Sequence, residues 1–223
     1  MSQRYENFEV IFIDDCSNDN SVSLIPKNDN FSVVSVSKRM YALCNINDIL
    51  SKTDFNDEDI IAIIDGDDYL FDEFAFDFVN SIYEVSKCLV SYGQYITSNG
   101  YFGNCSSYSF QEFKDIRNHV YRASHLKTFK YKVYKEFLRQ DQELYAYKDQ
   151  KGEIFSMTYD MALMLPLMEI AGLSRIYFNK YPLYIYRLHE NNDQVINRPL
   201  QKDIEQQIRN KPRFIETSFP DSI

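Results

Sequence analysis

The sequence predicts an α/β fold, a mostly parallel sheet flanked by helices and built as one domain. Three observations carry this. Short apolar runs at 8–13 and 59–65 end in acidic turns, segments with helical spacing alternate with such runs, and 223 residues that are 44% hydrophobic, with only 6 Gly and 6 Pro, are enough for one sizeable core.

In chain order, residues 8–13 (FEVIFI) lead into Asp14-Asp15 and the polar turn CSNDNS, the pattern of a buried strand that delivers side chains to the C-terminal edge of a sheet. A second strand is predicted at 31–36 (FSVVSV), after a connection containing Pro26 that is too short and too polar for a good crossover helix. Residues 40–50 place Leu43, Ile46 and Leu50 three and four apart, an amphipathic helix, and 59–65 (DIIAIID) is the next strand. Phe71, Phe74, Phe78, Ile82 and Val85 form a helical stripe, followed by a strand at 89–96. The polar, aromatic stretch 97–122 reads as a long active-site loop. Helices are predicted at 126–138 and 157–171, the second containing Pro166 and stopped by Gly172. Short strands at 175–178 and 183–186 precede a charged helix at 200–209.

Composition narrows the function. With 24 Lys+Arg against 33 Asp+Glu the net charge is −9, which argues against a general nucleic-acid binder. No apolar run approaches the roughly 18 residues of a membrane span, and MSQRYENFEV lacks the apolar core of a signal peptide, so the expected location is cytoplasmic. Cys16, Cys44, Cys88 and Cys105 are widely spaced and read as free thiols. His119, His125 and His189 show no close ligand spacing, so any metal must lean on carboxylates.

The strongest chemical signal is Asp65-Gly66-Asp67-Asp68, between an apolar strand and a helix, where an open α/β sheet binds ligands. Separate carboxylates on a tight glycine-containing turn suit a hard divalent cation such as Mg²⁺ or Mn²⁺, which would bridge a diphosphate. Asp67 and Asp68 equally suit the N-terminus of the following helix. A second acidic strand end, Asp14-Asp15, points to the same edge, although such turns are often acidic for Asx-turn bonding alone.

The segments RYENFEVIFIDDCSNDNS (4–21), IIAIIDGDDYL (60–70) and YPLYIYRLHENND (181–193) resemble the family 2 glycosyltransferases, nucleotide-sugar-dependent enzymes of the GT-A, Rossmann-like fold. KRMYALCNINDIL (38–50) and YDMALMLPLMEIAG (159–172) resemble a subgroup of that family found in giant viruses and bacteria. The resemblance implies that Asp14 or Asp15 reads the nucleotide base, that Asp65 of the DXD-like motif lies near the sugar and ribose, and that Asp67 is the metal ligand. It places His189 near the diphosphate and the metal, and it makes Asp160 the base that deprotonates the acceptor, with Tyr159 where the family usually has Glu. Asp160 could instead only stabilise the first turn of its helix.

Arg39 is a further phosphate candidate, and Arg122, His125 and Lys127 form a small cationic cluster that could contact phosphate or acceptor, or be ordinary solvated charges at a helix start. Tyr and Phe of 92–110 could stack on a sugar face or belong to the core.

Family members begin with an additional strand and helix, whereas this sequence starts within the connection to the next strand, so the expected domain is N-terminally truncated. The absent strand would lie between those at 8–13 and 60–65, which must then close together, recruit another segment or pair with a partner chain. The expected layout is a nucleotide-sugar half at 1–97, an acceptor and catalytic half at 98–198, and a C-terminal helix and tail at 199–223. The function so implied is inverting, metal-dependent sugar transfer from a nucleoside-diphosphate sugar, UDP-linked by preference, to a hydroxyl of a glycan, protein or lipid. A non-catalytic binding protein of the same fold and a metal-dependent nucleotidyltransferase or phosphohydrolase stay open as alternatives.

Overall fold

The computed structural model describes residues 3–189 and 197–219. The last residues of the 181–193 segment and the end of the C-terminal tail lie outside them.

Strands β1 (Val10–Asp14) and β2 (Phe31–Ser35) pair in parallel, Val10 opposite Phe31, as a two-stranded sheet of their own. Helix α1 (Ala42–Lys52) follows, burying Leu43, Ile46 and Leu50 as its spacing predicts. A five-stranded sheet then forms from β3 (Ile60–Ile63), β4 (Tyr69–Leu70), β5 (Val90–Thr97), β6 (Lys127–Lys130) and β7 (Ile176–Tyr186). Its order is β3-β6-β5-β7-β4. Between and after these strands come α2 (Ala75–Ser86), α3 (Phe110–Lys114), α4 (Tyr131–Gln140), α5 (Tyr159–Ala171) and α6 (Arg198–Arg209).

The α/β class holds, but the larger sheet is mixed where the strand–helix alternation predicts a mostly parallel one. Only β5 and β7 pair in parallel there; β6 runs antiparallel to both β3 and β5, and β4 antiparallel to β7. The physical reason lies in KTFK. This four-residue strand is too short to show alternation, and it is followed without a break by α4, so the sequence presents one apparent helix from 126. Similarly, β7 is one strand of 11 residues where two short ones are expected, since Asn179 and Pro182 resemble a break. The Asn179 side chain bridges that point by donating to the carbonyl of Tyr181 and accepting from its amide. Among the described residues β1 and β3 belong to different sheets, so the neighbours of the expected absent strand have not closed together.

Helix α5 is the centre of the core. From Met161 to Ala171 every residue is buried, and Met161, Leu163, Leu165 and Leu167 lie within 1% of complete burial. Each such side chain contributes about 1.5–3 kcal/mol of transfer free energy, and a helix apolar on all sides has to be interior. Phe129 of β6, Val133 and Phe137 of α4, and Val90 and Tyr92 of β5 pack in the same cluster. The polar residues of α5 are therefore conspicuous: Asp160 in its first turn and Glu169 near its end.

The stretch 97–122 carries its own structure. Its helix α3 is closed by a capping box in which the Ser109 hydroxyl accepts from the Glu112 amide and the Glu112 carboxylate accepts from the Ser109 amide. Ser109→Ala is expected to lower stability by about 1 kcal/mol, measured by urea denaturation; an unchanged midpoint would show that the box contributes nothing.

Candidate active site

Two acidic turns were expected to converge, and the structure gives each its own set of contacts. At the end of β1, Asp14 is buried and accepts from the Ser17 amide at 3.1 Å. Hydrogen bonds from Ser17 hold its carboxyl below the usual carboxylate range. Asp15 accepts from the amides of Met40 (2.7 Å) and Tyr41 (2.9 Å), which fixes the turn into α1. Burial pushes the Asp15 carboxyl up, but hydrogen bonds from Met40, Asn45 and Tyr41 and the Arg39 charge outweigh it, and the net direction is down. Arg39 is largely exposed, 3.9 Å from Asp15 and stacked over the Tyr41 ring. The partners of Asp14, Asp15 and Arg39 thus come from 14–45, separate from those of the second turn.

The second turn follows β3 and is held from several directions. The Asp65 amide donates to the Tyr184 hydroxyl at 3.0 Å, and the Arg187 amide donates to Asp68 Oδ1 at 2.7 Å, so the end of β7 fixes the acidic loop. His189 Nε2 lies 2.6 Å from Asp67 Oδ2. Of the residues singled out in the sequence, the structure thus pairs His189 with Asp67, while Asp65 has other partners. Burial raises the Asp68 carboxyl to about 6, with Asp65 and Asp67 adding to the rise against hydrogen bonds from Arg187 and Tyr184.

Tyr159 and His125 reach Asp65 in the turn, and Lys127 reaches both of them. The Tyr159 hydroxyl donates a short hydrogen bond to Asp65 Oδ1. His125 Nδ1 is 3.9 Å from Asp65 Oδ2 and 3.1 Å from Lys127 Nζ, and its ring stacks on Tyr184 with centroids 4.4 Å apart. Burial and the neighbouring Lys127 push the His125 imidazole well below its ordinary pKa, so it is neutral. Asp160 keeps part of its surface open, and burial raises its carboxyl. The Lys127 charge and the Met161 amide oppose that rise, while the charge of Asp65 reinforces it. Of the two readings of the cationic cluster, the solvated helix start is excluded for His125 and Lys127: both are buried, and Lys127 opens β6, a strand interior to the sheet. Arg122 points elsewhere, pairing with Glu112 at 2.7 Å and stacking over Tyr108.

The donor set fits a hard divalent cation. Asp65, Asp68 and His125 each offer a ligand atom within 4.8 Å of the others, and Asp68 Oδ2 is buried without a hydrogen-bond partner. Carboxylate oxygens with at most one imidazole suit Mg²⁺ or Mn²⁺. Of the imidazoles, His189 on Asp67 is the more accessible, whereas the His125 nitrogen nearest Asp65 already faces the Lys127 ammonium. Sequence reasoning flagged Asp68 only as part of the DGDD turn, with no role of its own, and it read Tyr159 only as a departure from a pattern. The contacts that single them out join residues about 90 to 120 positions apart.

The model of glycosyl transferase family 2 matches residues 1–141. Staphylococcus aureus TarS 1-349 in complex with UDP-GlcNAc superposes with a TM-score of 0.53 at 17% identity, covering 85% of this chain and 53% of TarS 1-349. The same fragment in complex with UDP gives 0.51 at 17% identity over 84% of this chain and 54% of that one. Longer TarS gives 0.53 at 15% identity over 91% of this chain and 35% of TarS. The chain thus spans about half the length of the TarS fragment it resembles, and at these identities the likeness establishes the fold. No curated protein sequence matches significantly, and among the described residues no helix is long and apolar enough to cross a membrane. With a family model matched over more than half its length and a GT-A fold around two acidic strand ends, the chain belongs to glycosyl transferase family 2.

Proposed function

We propose that the protein is an inverting, metal-dependent glycosyltransferase that moves a sugar from a nucleoside-diphosphate donor, UDP-linked by preference, to a hydroxyl acceptor. The observation that carries this reading is the placement of Asp160. It is a part-open carboxylate at the start of a buried helix, next to Tyr159, whose hydroxyl donates to Asp65 Oδ1 in the acidic turn. On this reading the base and the donor-binding turn share one site.

Asp65, Asp67 and His189 would hold a divalent cation, with Asp68 beside them, and such an ion would neutralise the diphosphate of the donor. Asp14 and Asp15 are assigned to the nucleotide end, on the family match and on their position at a strand end, and Arg39 to the phosphates. In the transfer step the acceptor oxygen attacks the anomeric carbon from the face opposite the diphosphate, as the bond from that carbon to the diphosphate oxygen breaks. The acceptor proton passes to Asp160, and the nucleoside diphosphate leaves. A carboxyl raised by burial is a better proton acceptor than a free one, provided it is ionised at the working pH. The acceptor is a glycan, protein or lipid hydroxyl, and the chain acts without nucleic acid, as a cytoplasmic enzyme that could assemble with further copies.

The reading predicts release of nucleoside diphosphate and a β-linked product from an α-linked donor, read by proton NMR of the anomeric signal. An α-linked product would refute inversion; release of pyrophosphate or inorganic phosphate would instead favour a nucleotidyltransferase or phosphohydrolase. A binding protein of the same fold without turnover is the second reading, favoured if the chain binds UDP but releases no nucleoside diphosphate from any donor.

A further inference from the structure

Lys127 is 1% exposed, yet among the described residues it makes no direct ion pair with a carboxylate. Burying an ammonium costs several kcal/mol unless hydrogen bonds and charge compensate. Its partners are both neutral groups: Nζ lies 3.1 Å from the Tyr159 hydroxyl and 3.1 Å from His125 Nδ1, and 4.9 Å from the centroid of the Tyr159 ring. An ammonium has only donors, so the Tyr159 oxygen must accept from Lys127. Its one proton is then free to go to Asp65 Oδ1, which is where the hydroxyl donates. The direction of the whole chain, Lys127 to Tyr159 to Asp65, is fixed by this chemistry.

The fold places the three members together by register rather than by sequence. Lys127 stands directly opposite Ile63 in the β3–β6 pairing, two residues before Asp65. Tyr159 opens α5 and immediately precedes Asp160. A core that needed only filling at position 127 would be served by an apolar side chain of similar length, with none of the desolvation cost.

We infer that Lys127 and Tyr159 are positioning residues that orient the Asp65 carboxylate for the donor, tying the donor-binding turn to the helix that carries the base. This rests on the donor-site reading above and deepens it. Residues that orient a ligand-holding carboxylate typically change affinity by about 10–100-fold when removed. Neither side chain touches the substrate in this account.

The test is calorimetric titration of UDP with Mn²⁺ into four proteins: wild type, Tyr159→Phe, Lys127→Met and the double variant. Circular dichroism melts of each establish that they are folded. Tyr159→Phe keeps the ring and removes only the hydroxyl, so it reports on the relay even if Lys127→Met proves unstable. The expected result is about a 10–100-fold loss of affinity in each single variant, and a double variant no weaker than the weaker single one, because both break the same chain. With UDP-N-acetylglucosamine as the donor probe, Tyr159→Phe raises KM by a larger factor than it lowers kcat, which a loss of general stability would not produce. Unchanged UDP affinity in Tyr159→Phe, or fully additive losses in the double variant, would overturn the relay while leaving the donor site intact. A folded wild-type chain that binds no UDP would overturn the donor-site reading and the relay with it.

Discussion

Asp160→Asn is expected to lower kcat for sugar transfer by about 10²–10⁴-fold, the usual contribution of a general base, while UDP–Mn²⁺ affinity stays within about twofold, since the base acts in the transition state and not on the bound donor. The amide is nearly isosteric and removes only the proton acceptor. Two features make the residue suited to the role. It stands at the start of a helix whose remaining length is buried, so its backbone is held firmly, and the Tyr121 hydroxyl anchors its carbonyl at 3.0 Å. Its carboxyl also sits between opposing influences, burial and Asp65 raising its pKa and Lys127 lowering it. Steady-state kinetics with calorimetry on the same preparation checks the claim. A kcat within a factor of about five of wild type would mean that Asp160 only serves the helix terminus, as the milder sequence reading has it.

The largest effect on stability is expected at the other polar residue of α5. Glu169 is fully buried and receives both Arg117 Nε and Nη2 at 2.7 Å, a bidentate pair. The same group ties down the C-terminal region, for Arg117 Nη1 donates to the Ile208 carbonyl at 2.7 Å and the Phe214 amide donates to Glu169 Oε2 at 3.1 Å. Glu169→Ala leaves a buried guanidinium without its counter-charge, and removal of one partner from such a pair typically costs about 3–5 kcal/mol. The measurement is urea denaturation followed by circular dichroism. A loss below about 1 kcal/mol, the level of an exposed pair such as Lys135–Asp57, would show that water reaches the guanidinium in the variant.

Much of the candidate site was legible from sequence because its acidic half is local. An apolar run that ends in DGDD needs only four neighbouring residues to declare itself, and Asp65, Asp67 and Asp68 do lie on the turn after β3. His189 was reachable through the resemblance, and it contacts Asp67. What escaped was the half built by long-range packing. Lys127 and His125 could be read equally as phosphate or acceptor contacts or as solvated charges, because short strands carry almost no periodic signal and β6 runs without a gap into α4. Only the pairing of β6 between β3 and β5 buries them. Tyr159 was visible as a departure from the family pattern, but its hydrogen bond to Asp65 spans 94 positions, beyond any local rule. For the fold, the helical stripe Leu43, Ile46 and Leu50 became a buried face. Of Phe71, Phe74, Phe78, Ile82 and Val85, by contrast, only Ile82 is buried, the helix burying Ala75, Val79 and Tyr83 instead. Strand direction was not legible, since the alternation of strands and helices says which elements exist and not which neighbour each one finds.

The most direct test of the account is isothermal titration of the folded chain with UDP and with GDP, each with and without Mn²⁺, alongside Asp67→Ala. The account predicts UDP binding that strengthens with Mn²⁺ in the wild type and loses that strengthening in Asp67→Ala, with GDP the weaker ligand. Wild-type UDP affinity that does not respond to Mn²⁺, or an Asp67→Ala protein that responds as well as the wild type, would contradict it.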